Sequence, residues 1–259
     1  MKFVTWNVNS LRARMPRVEQ LLRRHEPDVV ALQETKTSPE QFPHLELAAL
    51  GYQAVDHSGG RWAGVALLVR NDRDLDESSI QFGLPDSPLP DDARWIEATV
   101  DGVRVASAYV VNGRSPDDPM FPIKLAWLDA LATRLDVVAA MGPAIVGGDF
   151  NIAPTDEDVW NPALFVGSTH VTEAERDRLR AMLDSGWVDV VRHLHPTGAA
   201  YTWWDYRAGN FHKGNGLRID LVLATEGLVN DLETAGIDRE FRKGPKPSDH
   251  APLLAEFAD

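Results

Sequence analysis

Ala144-Ile145-Val146-Gly147-Gly148-Asp149-Phe150-Asn151 is the stretch on which the fold turns. Its apolar start has the length of a buried strand and not of a helix, and it ends abruptly in polar side chains. Two successive glycines let the backbone turn tightly, which predicts that Asp149 and Asn151 meet at the strand's end. The same grammar recurs on both sides. Val29–Leu32 run into Gln33-Glu34, Phe3–Trp6 run into Asn7 and Asn9, Asp220 sits within Leu217–Leu223, and Ser248-Asp249-His250 leads into the apolar run Ala251–Phe257. Carboxylates so placed converge at one sheet edge. Asp and Glu in apolar surroundings are costly to bury without a compensating cation or donor, so several together imply a metal ion.

Strands are predicted at Phe3–Val8, Val29–Gln33, Gly64–Arg70, Trp95–Val100, Val103–Val111, Ala144–Gly148, Arg218–Ala224 and Ala251–Phe257. Helical spacing marks Pro16–Arg24, with proline in the first turn, together with Ile123–Met141 and Thr172–Leu183. The class is therefore α/β or α+β. Trp95–Val100 and Val103–Val111, joined through Asp101-Gly102, read as a hairpin, so the sheets are expected to be mixed and a barrel of eight βα units is disfavoured. The Pro- and Gly-rich stretches 83–92 and 113–122 are too short to link domains, and the 259 residues read as one domain, 1–259, with no internal repeat.

The chain has no cysteine, which excludes disulfides, zinc-thiolate sites and thiol nucleophiles. A metal must then be held by oxygen or imidazole, which suits Mg²⁺, with Mn²⁺ as a substitute. No run of about 18 apolar residues is present and the start lacks the apolar segment of a signal peptide, so a cytoplasmic protein is expected. A net charge of -13 argues at first against a nucleic-acid partner. The acidic residues crowd into 72–77, 86–92 and 156–158, however, whereas Arg239, Arg242, Lys243 and Lys246 cluster just before Ser248-Asp249-His250 and predict a basic rim.

Taken together, seven blocks resemble the exonuclease III family of abasic-site endonucleases, in the wider endonuclease/exonuclease/phosphatase superfamily. They are Trp6–Ala13, Leu32–Lys36, Tyr109–Gly113, Gly148–Pro154, Tyr201–Arg207, Leu217–Asp220 and Ser248–His250, spread over the whole chain. The pattern departs at Val110-Val111, where the family commonly has proline. The resemblance implies a four-layered sandwich, two packed mixed β-sheets flanked by helices, and a monomer that cuts double-stranded DNA at abasic sites and at 3' ends. It further implies that Glu34 and Asn7 hold Mg²⁺ with Asp249 contributing from the opposite side, and that Asp149 orients or deprotonates the attacking water. Asn151, placed beside the metal, then bonds the phosphate or the water. His250, oriented by Asp220, stabilises the developing charge, and Tyr109 contacts the same phosphate. Asn112 and Lys124 are implied to face the substrate. Trp203, Phe211 and Leu217 bracket the loop Arg207–Gly216, whose Arg207, His212 and Lys213 suit a DNA backbone, and an apolar pocket there would accept a flipped-out baseless sugar. Arg12, Arg14 and Arg114 are further candidates for backbone contacts.

Two alternatives stay open at this point. Other branches of the superfamily act on phospholipids, cyclic dinucleotides or sugar phosphates, and the acidic net charge suits them. The second is a DNA-binding relative or scaffold without chemistry, against which stands a competent residue at every implied catalytic position.

Overall fold

The computed structural model describes residues 1–258. Among the described residues twelve strands form two six-stranded sheets. The first is built from β1 (Lys2–Asn7), β2 (Val29–Gln33), β3 (Tyr52–His57), β4 (Val65–Arg70), β11 (Leu232–Ile237) and β12 (Leu253–Phe257), in the order β11-β12-β1-β2-β4-β3. The second comprises β5 (Leu75–Phe82), β6 (Trp95–Val100), β7 (Val103–Tyr109), β8 (Ala144–Asp149), β9 (Trp187–Asp189) and β10 (Asp220–Thr225), in the order β5-β6-β7-β8-β10-β9. Each sheet is mixed, with one parallel pair, β1 with β2 and β7 with β8, among antiparallel ones. The main helices are α1 (Leu11–His25), α2 (His44–Ala49), α3 (Met120–Met141) and α4 (Glu173–Asp184). Helices α1 and α3 are the crossovers that each parallel pair requires.

The apolar residues divide accordingly. Phe3, Val29, Leu67, Ile96, Ile145 and Val222 fill the space between the sheets. Trp127, Leu128 and Leu131 of α3 cover the outer face of the second sheet, and Val18, Leu21 and Leu22 of α1 cover that of the first. The sandwich flanked by helices is thus the observed architecture. Among the described residues no helix is long and apolar enough to cross a membrane.

Two local expectations are corrected. Helix α1 begins at Leu11, so Pro16 lies inside it and not in its first turn. Gly147 and Gly148 do not make a turn; both lie within β8, where they permit close approach. A Cβ on Gly147 would fall 2.5 Å from Phe3 Cε1 of the facing sheet, and one on Gly148 would fall 2.0 Å from the Ala108 carbonyl. The turn is made by Asn151, whose φ is 52°.

Candidate active site

Strand register assembles the site. Asn7 ends β1 beside Gln33 at the end of the parallel β2, and Glu34 follows. In the other sheet Tyr109, Asp149 and Asp220 lie abreast on three adjacent strands, since Tyr109 pairs with Asp149 and Asp149 with Asp220. Directly paired residues present their side chains to the same face, so three polar groups come together where the strands end.

Hydrogen bonds join the two sheets at this point. The Asn7 amide nitrogen donates to Glu34 Oε1 at 2.8 Å and to Asp149 Oδ2 at 2.9 Å. Its oxygen accepts from the Asn9 backbone at 3.0 Å. Asn7 therefore ties two carboxylates together through nitrogen, where the sequence suggested an oxygen ligand. Tyr109 donates its hydroxyl to Glu34 Oε1 at 3.0 Å, and Lys36 reaches Glu34 Oε2 at 2.6 Å. Lys36 also donates to Asn9, which donates to Asp249 Oδ1 at 3.0 Å, and the Trp203 indole donates to Asp249 Oδ2 at 3.1 Å. Below them the buried Gln33 amide bonds Thr5 and Ser107, a polar tie between the sheets.

His250 is 4 % exposed; its Nδ1 lies 2.8 Å from Asp220 Oδ2, and its Nε2 lies 3.8 Å from Asp149 Oδ2. Burial opposes the charged ring, but the carboxylates of Asp220 and Asp149 outweigh it and raise its pKa to about 10. Burial likewise lifts the Asp149 carboxyl to about 7; the attraction of His250 opposes that rise, whereas the charges of Asp220 and Glu34 add to it. For Glu34 burial raises the pKa, yet the bonds from Asn7 and Lys36 hold it below the ordinary value. Burial drives the Tyr109 hydroxyl well above its usual range, so it remains a donor. Arg94 lies 4.7 Å above the Tyr109 ring, a contact with no sequence signal.

Ligand atoms of Asp149, Asp220 and His250 lie within 4.8 Å of one another, and Asp220 Oδ1 is buried without a hydrogen-bond partner. Oxygen donors and one imidazole are a set suited to a hard divalent cation, so the residues present fit Mg²⁺ or Mn²⁺. Asp220 Oδ1 is the carboxylate oxygen there that accepts no hydrogen bond, whereas Glu34 and Asp249, which the resemblance implies as ligands, each accept on both oxygens.

Asn151 gathers several contacts. Its backbone nitrogen donates to Asp149 Oδ1 at 3.0 Å, its side chain donates to the Val110 carbonyl at 2.9 Å, and its Oδ1 accepts from Asn112 at 3.0 Å. His170, absent from the sequence reading, places Nδ1 2.6 Å from the Asn151 carbonyl. Burial and then the neighbouring Lys124 charge push its pKa down to about 4, so the ring is neutral and donates from Nδ1.

Several substrate-facing candidates lie elsewhere. Lys124 is fully buried, bonded to Glu175 and to the Asn151 carbonyl, and cannot meet a phosphate. Leu217 is 1 % exposed in a small core with Ala153, Val159 and Ile219. Phe211 meets Trp204 edge-to-face at 5.2 Å, and Trp203 pairs through its backbone with Leu217 and His250. Arg242, expected on a basic rim, is 5 % exposed, donates to the Ser248 and Trp204 carbonyls and lies over Phe211. Asn112, Arg12, Arg114, His212, Lys213, Arg239, Lys243 and Lys246 are exposed, as is Arg207, which is paired with Asp205.

Residues 4–250 match the model of the Endonuclease/Exonuclease/phosphatase family. The chain belongs to that family. The matched span takes in every endonuclease/exonuclease/phosphatase candidate residue from Asn7 to His250. Exodeoxyribonuclease III of Haemophilus influenzae is 32% identical over 274 residues, covering 99% of this chain and 100% of that protein. The 3'-5' exonuclease NExo of Neisseria meningitidis is 41% identical with a TM-score of 0.95, each chain covered to 100%. A second NExo structure, described as a 3' phosphatase bound to a product DNA hairpin, is 40% identical with a TM-score of 0.94, again over 100% of both chains. An AP endonuclease from Archaeoglobus fulgidus is 35% identical with a TM-score of 0.94 over 99% of both chains.

Proposed function

We propose that this endonuclease/exonuclease/phosphatase protein is a magnesium-dependent DNA repair nuclease that removes nucleotides from 3' ends of duplex DNA and cleaves the phosphodiester 5' to abasic sites. The observation that carries the reading is the buried Asp149–His250–Asp220 cluster, set beside Glu34 where strands of both sheets end. Relatives named exodeoxyribonuclease III, 3'-5' exonuclease and AP endonuclease support DNA over lipids or sugar phosphates. The proposal extends to a monomer acting in the cytoplasm.

Glu34, Asp149 and Asp249 would hold the cation, which, when bound, supplies charge neutralisation at the phosphate. Asp149, with a pKa near neutrality, accepts the proton of the attacking water. His250, kept protonated by Asp220, donates from Nε2 to a phosphate oxygen as negative charge develops. Tyr109 and Asn151 orient the phosphate, and Asn112, exposed beside Asn151, meets the nucleotide backbone. The product carries a 3' hydroxyl.

The test uses purified protein on three duplexes, one with a recessed 3' hydroxyl, one with a 3' phosphate and one with an internal tetrahydrofuran abasic analogue. Magnesium-dependent processing of the 3' ends, abolished by EDTA, is expected, with incision at the analogue as the second activity. Failure to cut any duplex, alongside hydrolysis of a lipid or sugar phosphate, overturns the reading. An intact abasic duplex with degraded 3' ends removes only the endonuclease half.

A further inference from the structure

Lys124 and Glu175 form a buried ion pair that the reaction as described does not use. Neither side chain has any exposed surface. The Glu175 carboxylate is heavily bonded: besides Lys124, Oε1 accepts from Thr169 Oγ1 at 2.9 Å and the His170 backbone at 2.9 Å, and Oε2 from the Thr172 backbone at 3.0 Å and hydroxyl at 2.6 Å. The Lys124 ammonium also lies within hydrogen-bond distance of the backbone carbonyls of Asn151, at 2.7 Å, and Asn112, at 3.2 Å, and of Thr169 Oγ1 at 3.2 Å, so that its three protons are shared among four acceptors. The Thr169 hydroxyl lies 2.9 Å from the Asn112 carbonyl as well, and its single proton serves either that carbonyl or Glu175 at any moment.

These carbonyls belong to the two asparagines bonded to each other beside Asp149. Asn151 holds φ at 52°, a left-handed conformation that persists only where the surroundings fix it. Space for the lysine stem exists because residue 113 is glycine: a Cβ there would fall 2.9 Å from Lys124 Cδ. A buried pair is in itself weak support for stability, since an apolar pair of similar volume is often as good. What an apolar pair cannot do is donate to two carbonyls.

We propose that Lys124 and Glu175 are positioning residues: the ammonium, anchored by the carboxylate, clamps the backbone of Asn112 and Asn151 and so fixes their side chains toward the scissile phosphate. This rests on the nuclease reading above. The experiment compares Lys124→Met, Glu175→Leu and the double variant for thermal melting, for kcat and KM on 3'-recessed duplex, and for the side-chain amide resonances of ¹⁵N-asparagine-labelled protein. Each single variant leaves a buried charge unpaired and melts early. The double variant regains most of the melting temperature. Its kcat stays low by about 100-fold, the scale of a 1 Å misplacement of a reacting group, with KM little changed, and the Asn112 and Asn151 amide resonances move. Recovery of wild-type kcat and unshifted amides in the double variant overturn the proposal. If the double variant does not fold, Thr169→Val decides, since it removes one bridging hydroxyl without altering charge; unchanged kcat and amides there also overturn it. Wild-type protein that cuts no DNA would sink the nuclease reading alone, because the amide resonances report on the clamp without turnover.

Discussion

Asp149 and His250 pull each other's titration in opposite directions, and turnover depends on both. With Asp149 near 7 and His250 near 10, the competent form has the carboxylate ionised and the imidazole protonated. Activity is therefore expected to fall on the acid side, below about 7 where Mg²⁺ is limiting and at lower pH where it is in excess, and to fall again as pH rises past about 10. Asp220→Asn removes the charge that raises His250, so the alkaline limb moves toward neutral pH; a pH–rate profile with that limb unmoved would show that Asp220 does not sustain the imidazolium. Asp149→Ala and His250→Ala each lower turnover by about 10² to 10⁴ with the circular dichroism spectrum intact, measured on the 3'-recessed duplex. The carboxylates and His250 were legible in sequence because each interrupts or borders an apolar run. Lys124 was not, since whether a lysine faces a phosphate or a glutamate 51 residues away depends on how α3 meets α4.

Elements were legible in proportion to burial. The eight predicted strands correspond to β1, β2, β4, β6, β7, β8, β10 and β12, the four inner members of each sheet. The four that escaped, β3, β5, β9 and β11, are the sheet edges. An edge strand is covered on fewer sides, so Leu75–Phe82 carries mostly polar residues, buries none of its side chains fully and lacks an apolar signal. Tight contact between strands was equally invisible. Gly148→Ala places a methyl group against the Ala108 carbonyl, one rung from the Tyr109–Asp149 pair. A loss of about 1–3 kcal/mol or more is expected by urea denaturation, together with lowered turnover. Gly236→Ala in β11, where a Cβ meets nothing within 4 Å, is the control and should stay within about 0.5 kcal/mol of wild type.

At the scale of the whole molecule, the acidic centre makes stability depend on the cation. A ligand that binds only the folded state adds about 2.7 kcal/mol at a hundredfold excess over its Kd, or roughly 5 to 10 °C in Tm for a chain of this size. Asp149 takes up a proton below about 7, so the Tm gain from Mg²⁺ should be large at pH 8 and shrink at pH 5.5. Equal gains at both values in a thermal melt would place the cation away from Asp149. Written in order, β11-β12-β1-β2-β4-β3 and β5-β6-β7-β8-β10-β9 have the same succession of parallel and antiparallel neighbours, with a helical crossover at the same step. The molecule is topologically a doubled half, and one half is severed in the chain: β11 and β12 return from the far end to lie beside β1, with the Met1 amine 2.6 Å from the Phe257 carbonyl. A circular permutant that joins those ends by a short linker and opens in the turn between Arg70 and Leu75 makes each half continuous. It should fold and keep its activity, having moved the cut from within one half to the seam between the two.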